Sequence, residues 1–145
     1  MQTDKEHFRK LERMYHGAPI NRYYEPTIRI ASGTAELQLA VKPDFFHAAH
    51  AVHGSVYFKA LDDAAFFAVS SLVTDVFVLT ASYNIYLTRP VTEGTIQALG
   101  RVVHKSRNVF LAEAELFDGE KRLVARGSGS FMRSTIALTP QVGYA

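Results

Sequence analysis

Two adjacent carboxylates, Asp62 and Asp63, sit inside a run from Val56 to Leu72 that is apolar on nearly every side. A helix with that pattern belongs in a protein interior. At about 100° per residue the two acids cannot face the same way. Asp63 has a partner: Lys59 lies one turn earlier on its face. Asp62 has Phe58 and Phe66 on either side along the helix, and Lys59 at i−3 as its only nearby charge. An ionised carboxylate among aromatics is costly unless something pairs with it or uses it. A structural Asp bonded to neighbouring backbone is one reading; a general base whose proton affinity is raised by burial is the other.

The entry to this helix supplies a second function. Gly54 stands where the first backbone N–H groups lack helical partners and carry the positive end of the dipole. Such groups polarise a carbonyl oxygen, and glycine lets a substrate approach the backbone. The Asp62 side chain leans back toward that end, which would bring it to a carbonyl held above the helix start. The next strand alternates, with Thr80, Ser82, Asn84 and Tyr86 on one face and Ala81, Tyr83, Ile85 and Leu87 on the other. The polar row either positions water opposite Asp62 or is a solvated outer face.

His47, His50 and His53 recur every third residue, but in a loop, without cysteine and without helical period, so no metal site is expected. His53 is read as orienting the loop by hydrogen bonds. There is no Gly-x-Gly-x-x-Gly or phosphate-cradling lysine loop, and Gly127-Ser128-Gly129-Ser130 does not fit a serine-hydrolase elbow.

Elements must position these groups. A capped helix is expected over residues 3–15, closed by Gly17, Ala18 and Pro19. Thr27 to Ala31 and Thr34 to Val41 read as a hairpin around Ser32-Gly33. The loop from Lys42 to Val52 leads to the central helix, which is expected to end near Thr74-Asp75. Four strands follow: Val76 to Leu87, Gly94 to His104, Asn108 to Phe117, and Lys121 to Arg133. Asp118-Gly119 marks a turn, and Gly127 and Gly129 mark a bulge or a close approach. Residues 134–145 read as an unpaired tail. The order implies an α+β domain over 1–145, an antiparallel sheet covered by one helix, with sheet edges free for dimerisation.

Composition narrows the function. Of the 145 residues, 48% are hydrophobic and 21% charged, as in soluble globular proteins, and the formal charge of +2 is too small to argue for nucleic acid. No apolar run is long enough to span a bilayer. The absence of cysteine excludes disulfides and thiolate chemistry and suits a cytoplasmic location.

His53-Gly54, Asp62 eight residues after Gly54, and a strand ending Asn84-Ile85-Tyr86-Leu87-Thr88-Arg89-Pro90 together resemble the hotdog-fold acyl-CoA thioesterases of the phenylacetate-pathway (PaaI) type. The resemblance spans about Arg29 to Arg133. It implies a curved antiparallel sheet wrapped round one long helix, working as a homodimer or dimer of dimers with sites across the dimer interface. It implies that Asp62 is general base or nucleophile, that the Gly54 N–H polarises the thioester carbonyl, and that Thr80 helps orient water. No cofactor is implied beyond the coenzyme A of the substrate. Two positions depart from the family pattern: Ser55 replaces a second glycine, and His47 stands where Asn or Gln is usual. Imidazole can still donate to a thioester or hold water. Arg89, Lys105 and Arg107 are expected to meet the CoA phosphates, and Ser55, Ser82 and Asn84 to contact substrate. Phe46 and Tyr83, with Phe45, Tyr57 and Phe58, are expected around an apolar or aromatic acyl group. Two other activities stay open: a hotdog enoyl-CoA hydratase or dehydratase using His47 and Asp62, and a non-catalytic acyl-CoA binder.

Overall fold

The computed structural model describes residues 1–145. Helix α1 (Asp4–Gly17) is followed by the short α2 (Asn21–Tyr24), then β1 (Thr27–Ala31) and β2 (Thr34–Ala40). The long helix α3 (Gly54–Ser70) precedes β3 (Val76–Leu87), β4 (Thr95–Lys105), β5 (Val109–Phe117) and β6 (Leu123–Ala137). All six strands form one antiparallel sheet in the order β1-β2-β4-β5-β6-β3. Thr3 caps α1 and, with Glu6, completes a capping box, as Ser/Thr and Glu at that spacing should. In β2 the alternation is realised: Ala35, Leu37 and Leu39 point into the core.

The helix lies unusually close to the sheet because both surfaces are small. Ala60, Ala64, Ala65 and Ala68 of α3 are fully buried, facing a sheet that offers Ala98, Gly100, Ala112 and Ala114. A Cβ on Gly100 would stand 2.3 Å from the Ala64 carbonyl oxygen, so glycine there is a condition of the packing. The ring of Tyr83 lies against Gly127 and Gly129, where added Cβ atoms would come within 2.5 and 2.4 Å of it. This is the close approach expected at those glycines.

The two sheet edges differ. Along β1, α1 supplies side chains where another strand would bind. Glu12 Oε2 accepts from Ile30 N at 2.8 Å, Arg9 Nη2 donates to Ile30 O at 2.9 Å, and His16 Nε2 accepts from Ile28 N at 3.2 Å. The other edge, β3, pairs only with β6.

Several boundaries differ from the sequence expectation. Helix α1 continues to Gly17, and α3 stops at Ser70, four residues before Thr74. Asp118 does not head a two-residue turn. It accepts from the backbone N–H groups of Glu120 and Arg122 and from Arg122 Nε, closing a longer loop. Residues 134–145 are not an unpaired tail. Strand β6 runs on to Ala137 opposite Val76, and Tyr144 is buried against α1.

Candidate active site

Asp62 projects from the middle of α3 toward β3, where Thr80 Oγ1 donates to its Oδ1 at 2.9 Å. Its Oδ2 makes no hydrogen bond within the chain. Burial pushes its carboxyl up to about 6; the Thr80 bond opposes this, the neighbouring Asp63 charge adds to it, and Lys59 pulls it back. Asp63 behaves as its spacing implies: Lys59 Nζ lies 2.7 Å from its Oδ2. The spacing gives no hint of its second partner. Tyr15 of α1 donates to the same oxygen at 2.7 Å, and Lys59 sits over the Tyr15 and Tyr24 rings at 5.3 and 5.1 Å. Asp63 is thereby engaged while Asp62 keeps one oxygen free. Both line a groove of about 850 Å³ between β3 and the end of α1, floored by α3. Its apolar walls are Phe66, Phe67, Phe77, Leu79 and Ile136.

At the other end of the helix, His53 is the N-cap and its Nδ1 accepts from Ser55 N at 3.0 Å. The Gly54 N–H has no partner in the chain, so it is a free donor at the positive end of the dipole. His47 lies beside His53, rings 6.5 Å apart, and Leu87 at the end of β3 packs against Gly54. Arg89 follows, its carbonyl held by the Tyr57 hydroxyl at 2.9 Å and its side chain exposed.

The expected meeting of Asp62 and Gly54 within one chain does not occur. Eight residues of α-helix separate them by roughly 12 Å, more than a leaning Asp side chain covers. His47 stays with His53 and does not line the Asp62 groove, so the His47–Asp62 pair is not assembled within one chain either.

The polar row on β3 is also split. Thr80 pairs with Phe131 and Ser82 with Ser130, leaving Ala81 as an extra residue, a β-bulge. The bulge puts Thr80 on the helix-facing side with Tyr83 and Ile85, and turns Ser82 and Asn84 to the outer face. There Ser82 Oγ bonds Ser130 Oγ at 2.7 Å and Asn84 Nδ2 donates to the Tyr86 hydroxyl at 3.2 Å. Tyr83 is core rather than groove: it packs on Phe58 and Phe131, and its hydroxyl is buried without a partner. Phe46 is half-buried in the loop, bridged to Val52, and Phe45 and Tyr57 are core residues. Lys105 ends β4 and Arg107 lies in the β4–β5 turn, both exposed. No group of three His, Asp or Glu side chains is arranged to hold a metal. No helix is long and apolar enough to cross a membrane.

A six-stranded antiparallel sheet around one long helix, with an N-terminal helix beside it, is the hotdog fold. The structure superposes on the PaaI protein of the E. coli phenylacetic acid degradation operon with a TM-score of 0.85, at 18% identity, covering 95% of this chain and all of that one. It also matches a mutant of the phenylacetic acid degradation protein PaaI from Thermus thermophilus, with a TM-score of 0.73 at 22% identity over 81% of this chain and 100% of that one. Residues 49–125, which hold His53, Gly54, Asp62 and Thr80, match the model of the thioesterase superfamily, and the chain belongs to that family of thioester hydrolases. A Sulfurisphaera tokodaii protein that bears an esterase name is 28% identical over 102 residues, 70% of this chain and 75% of its own.

Proposed function

We propose that this protein hydrolyses the thioester of apolar or aromatic acyl-CoAs as a homodimer, each site combining Asp62 of one subunit with Gly54 of the partner subunit. The observation that carries the reading is the state of Asp62. It is a carboxylate held by a single Thr80 hydrogen bond, with one oxygen open to an apolar groove and a proton affinity raised toward neutrality. The free Gly54 N–H is the complementary donor, and its distance from Asp62 in one chain calls for a second copy. The unpaired β3 edge, which carries Thr80, is where that copy would add.

In this site Asp62 takes a proton from water as the water oxygen bonds to the thioester carbon. The Gly54 N–H and the helix dipole stabilise the carbonyl oxygen as it becomes negative. Collapse breaks the C–S bond, and the proton held by Asp62 passes to the departing CoA thiolate. Direct attack by the carboxylate, through an anhydride that water then opens, uses the same groups and the same ionised Asp62. His47 and Ser55, at the helix start beside Gly54, are assigned to the thioester end of the ligand. The exposed cations Arg89, Lys105 and Arg107 are assigned to the CoA phosphates. Exposed Val103, Val109, Leu111 and Met132 on the outer face support pairing of dimers there.

Complementation tests the shared site. Gly54→Pro removes the donor but suits the first helical position, and His53 already has the extended backbone that must precede proline. Asp62→Asn and Gly54→Pro homodimers should each lose CoA release, and co-expressed mixed dimers should regain part of it. Mixed dimers as inactive as their parents refute the shared site. Enoyl-CoA hydration without thiol release would favour the hydratase, and binding without any turnover the non-catalytic binder.

A further inference from the structure

The segment after β6 does more than end the fold. Leu138 N donates to Asp75 O at 3.0 Å, and the chain then crosses from the β6–β3 side of the groove to α1. There Tyr144 is 6% exposed, and its hydroxyl lies 2.7 Å from His7 Nδ1 and 2.7 Å from Gln2 Nε2. His7 is 1% exposed, and its Nε2 lies 2.9 Å from Ser70 O at the end of α3. A carbonyl only accepts, so Nε2 carries the proton and Nδ1 accepts from the Tyr144 hydroxyl, which in turn accepts from Gln2. These hydrogen bonds tie the crossing to α1 and to the end of α3, and the Leu138–Asp75 bond holds its other end. Gly143, at φ +90°, lies on Met14 of α1, with its Cβ position 3.4 Å from the Met14 Cα.

Between these anchors, Pro140 to Gly143 line the Asp62 groove. The α3 residues on its floor run from Lys59 to Phe67, and the five residue steps from Asp62 to Phe67 span roughly 8 Å. We infer that the Leu138–Tyr144 crossing is the end wall of the acyl groove, with Val142 the residue that limits acyl length, restricting the ligand to short, medium or aryl acyl groups. This rests on the thioesterase reading only for the placement of the thioester at Asp62. Val142 is half-buried among apolar groups, and Ile136, which lines the same groove, is 45% exposed, an apolar surface suited to an alkyl or aryl occupant. A long saturated chain outruns this floor and meets the wall.

Binding of non-hydrolysable S-alkyl-CoA thioethers, from ethyl to hexadecyl, measured by calorimetry on wild type, Val142→Trp and Val142→Ala, tests the wall without needing turnover. Wild type should bind octyl-CoA better than ethyl-CoA and lose the gain at hexadecyl. Val142→Trp should cut the octyl-to-ethyl affinity ratio about tenfold, and Val142→Ala should move the optimum to a longer chain, since pocket methylenes discriminate on about that scale. An octyl-to-ethyl ratio and an optimum unmoved in both variants overturn the wall, whatever the enzyme hydrolyses. Tight, wall-sensitive binding with no CoA release from acyl-CoAs would instead overturn the hydrolase reading and leave the wall standing.

Discussion

Replacing Asp62 with Asn should silence the enzyme and, at neutral pH, make it more stable. In the folded chain the carboxyl is pushed up to about 6 from the ordinary 3.8, chiefly by burial. A carboxyl that is harder to ionise when folded costs nothing below its unfolded value. The cost grows as pH rises between the two values and is complete above the folded one. At about 1.4 kcal/mol per pH unit the gap amounts to about 3 kcal/mol, and water in the open groove screens part of it, leaving about 2 kcal/mol. Asn keeps an oxygen for Thr80 and carries no charge, so it relieves that cost only where Asp62 would be ionised. Urea unfolding of wild type and Asp62→Asn at pH 8 and pH 4 should show a gain of about 2 kcal/mol at pH 8 and little at pH 4. CoA release should fall by about 10²–10⁴-fold, the range a general base supplies. A variant no more stable at pH 8 than wild type, or equally stabilised at both pH values, refutes the account of Asp62 as an uncompensated buried acid. Retained hydrolysis refutes its role in the chemistry.

Thr80→Val removes the hydrogen bond that holds Asp62 down, so the acidic limb of the kcat/KM profile should move to higher pH, with loss at pH 6 that is partly recovered at pH 8. An unmoved limb would disconnect Thr80 from the base. Tyr83→Phe removes a buried hydroxyl that has no partner, and thermal unfolding should show it neutral or stabilised by up to about 1 kcal/mol. A clear loss would mean that the hydroxyl has a partner after all. Gly100→Ala drives a methyl into the Ala64 carbonyl, an atom of helix backbone that cannot rotate away, and should cost about 2–3 kcal/mol in denaturant unfolding. A neutral result would show that α3 does not sit so close to β4.

The parts of the site that are legible in the sequence are those fixed by short-range periodicity. The spacing from Gly54 to Asp62 and the Lys59–Asp63 pair follow from helix geometry alone, and the bounds of β3, Val76 to Leu87, follow from its alternation and the Arg-Pro stop. Which face of β3 its hydroxyls occupy is not legible. One extra residue inverts every later side chain, and Ala81, unlike a glycine, gives no sign of a bulge. Tyr83 misleads for a related reason: an aromatic residue in a strand reads the same whether it covers glycines on the next strand or lines a ligand site. The groove walls are invisible in the sequence because they join distant segments: Tyr15 reaches Asp63 from α1, and Val142 arrives from the far end of β6. His7, partnered by Tyr144 and by the end of α3, carries no local signal of burial.

The side chains of Glu12, Arg9 and His16 on β1 have a consequence for assembly. A sheet with two sticky margins can recruit copies without limit and grow into a fibril. Here one margin is already largely occupied by the chain's own side chains, so lateral growth through the remaining one would stop after a single addition, and the homodimer proposed above would be a closed two-fold pair. In that homodimer the N-terminal helix would act as a terminator of polymerisation. Unlocking it, for instance by removing the Glu12 carboxylate, would restore a second growing end.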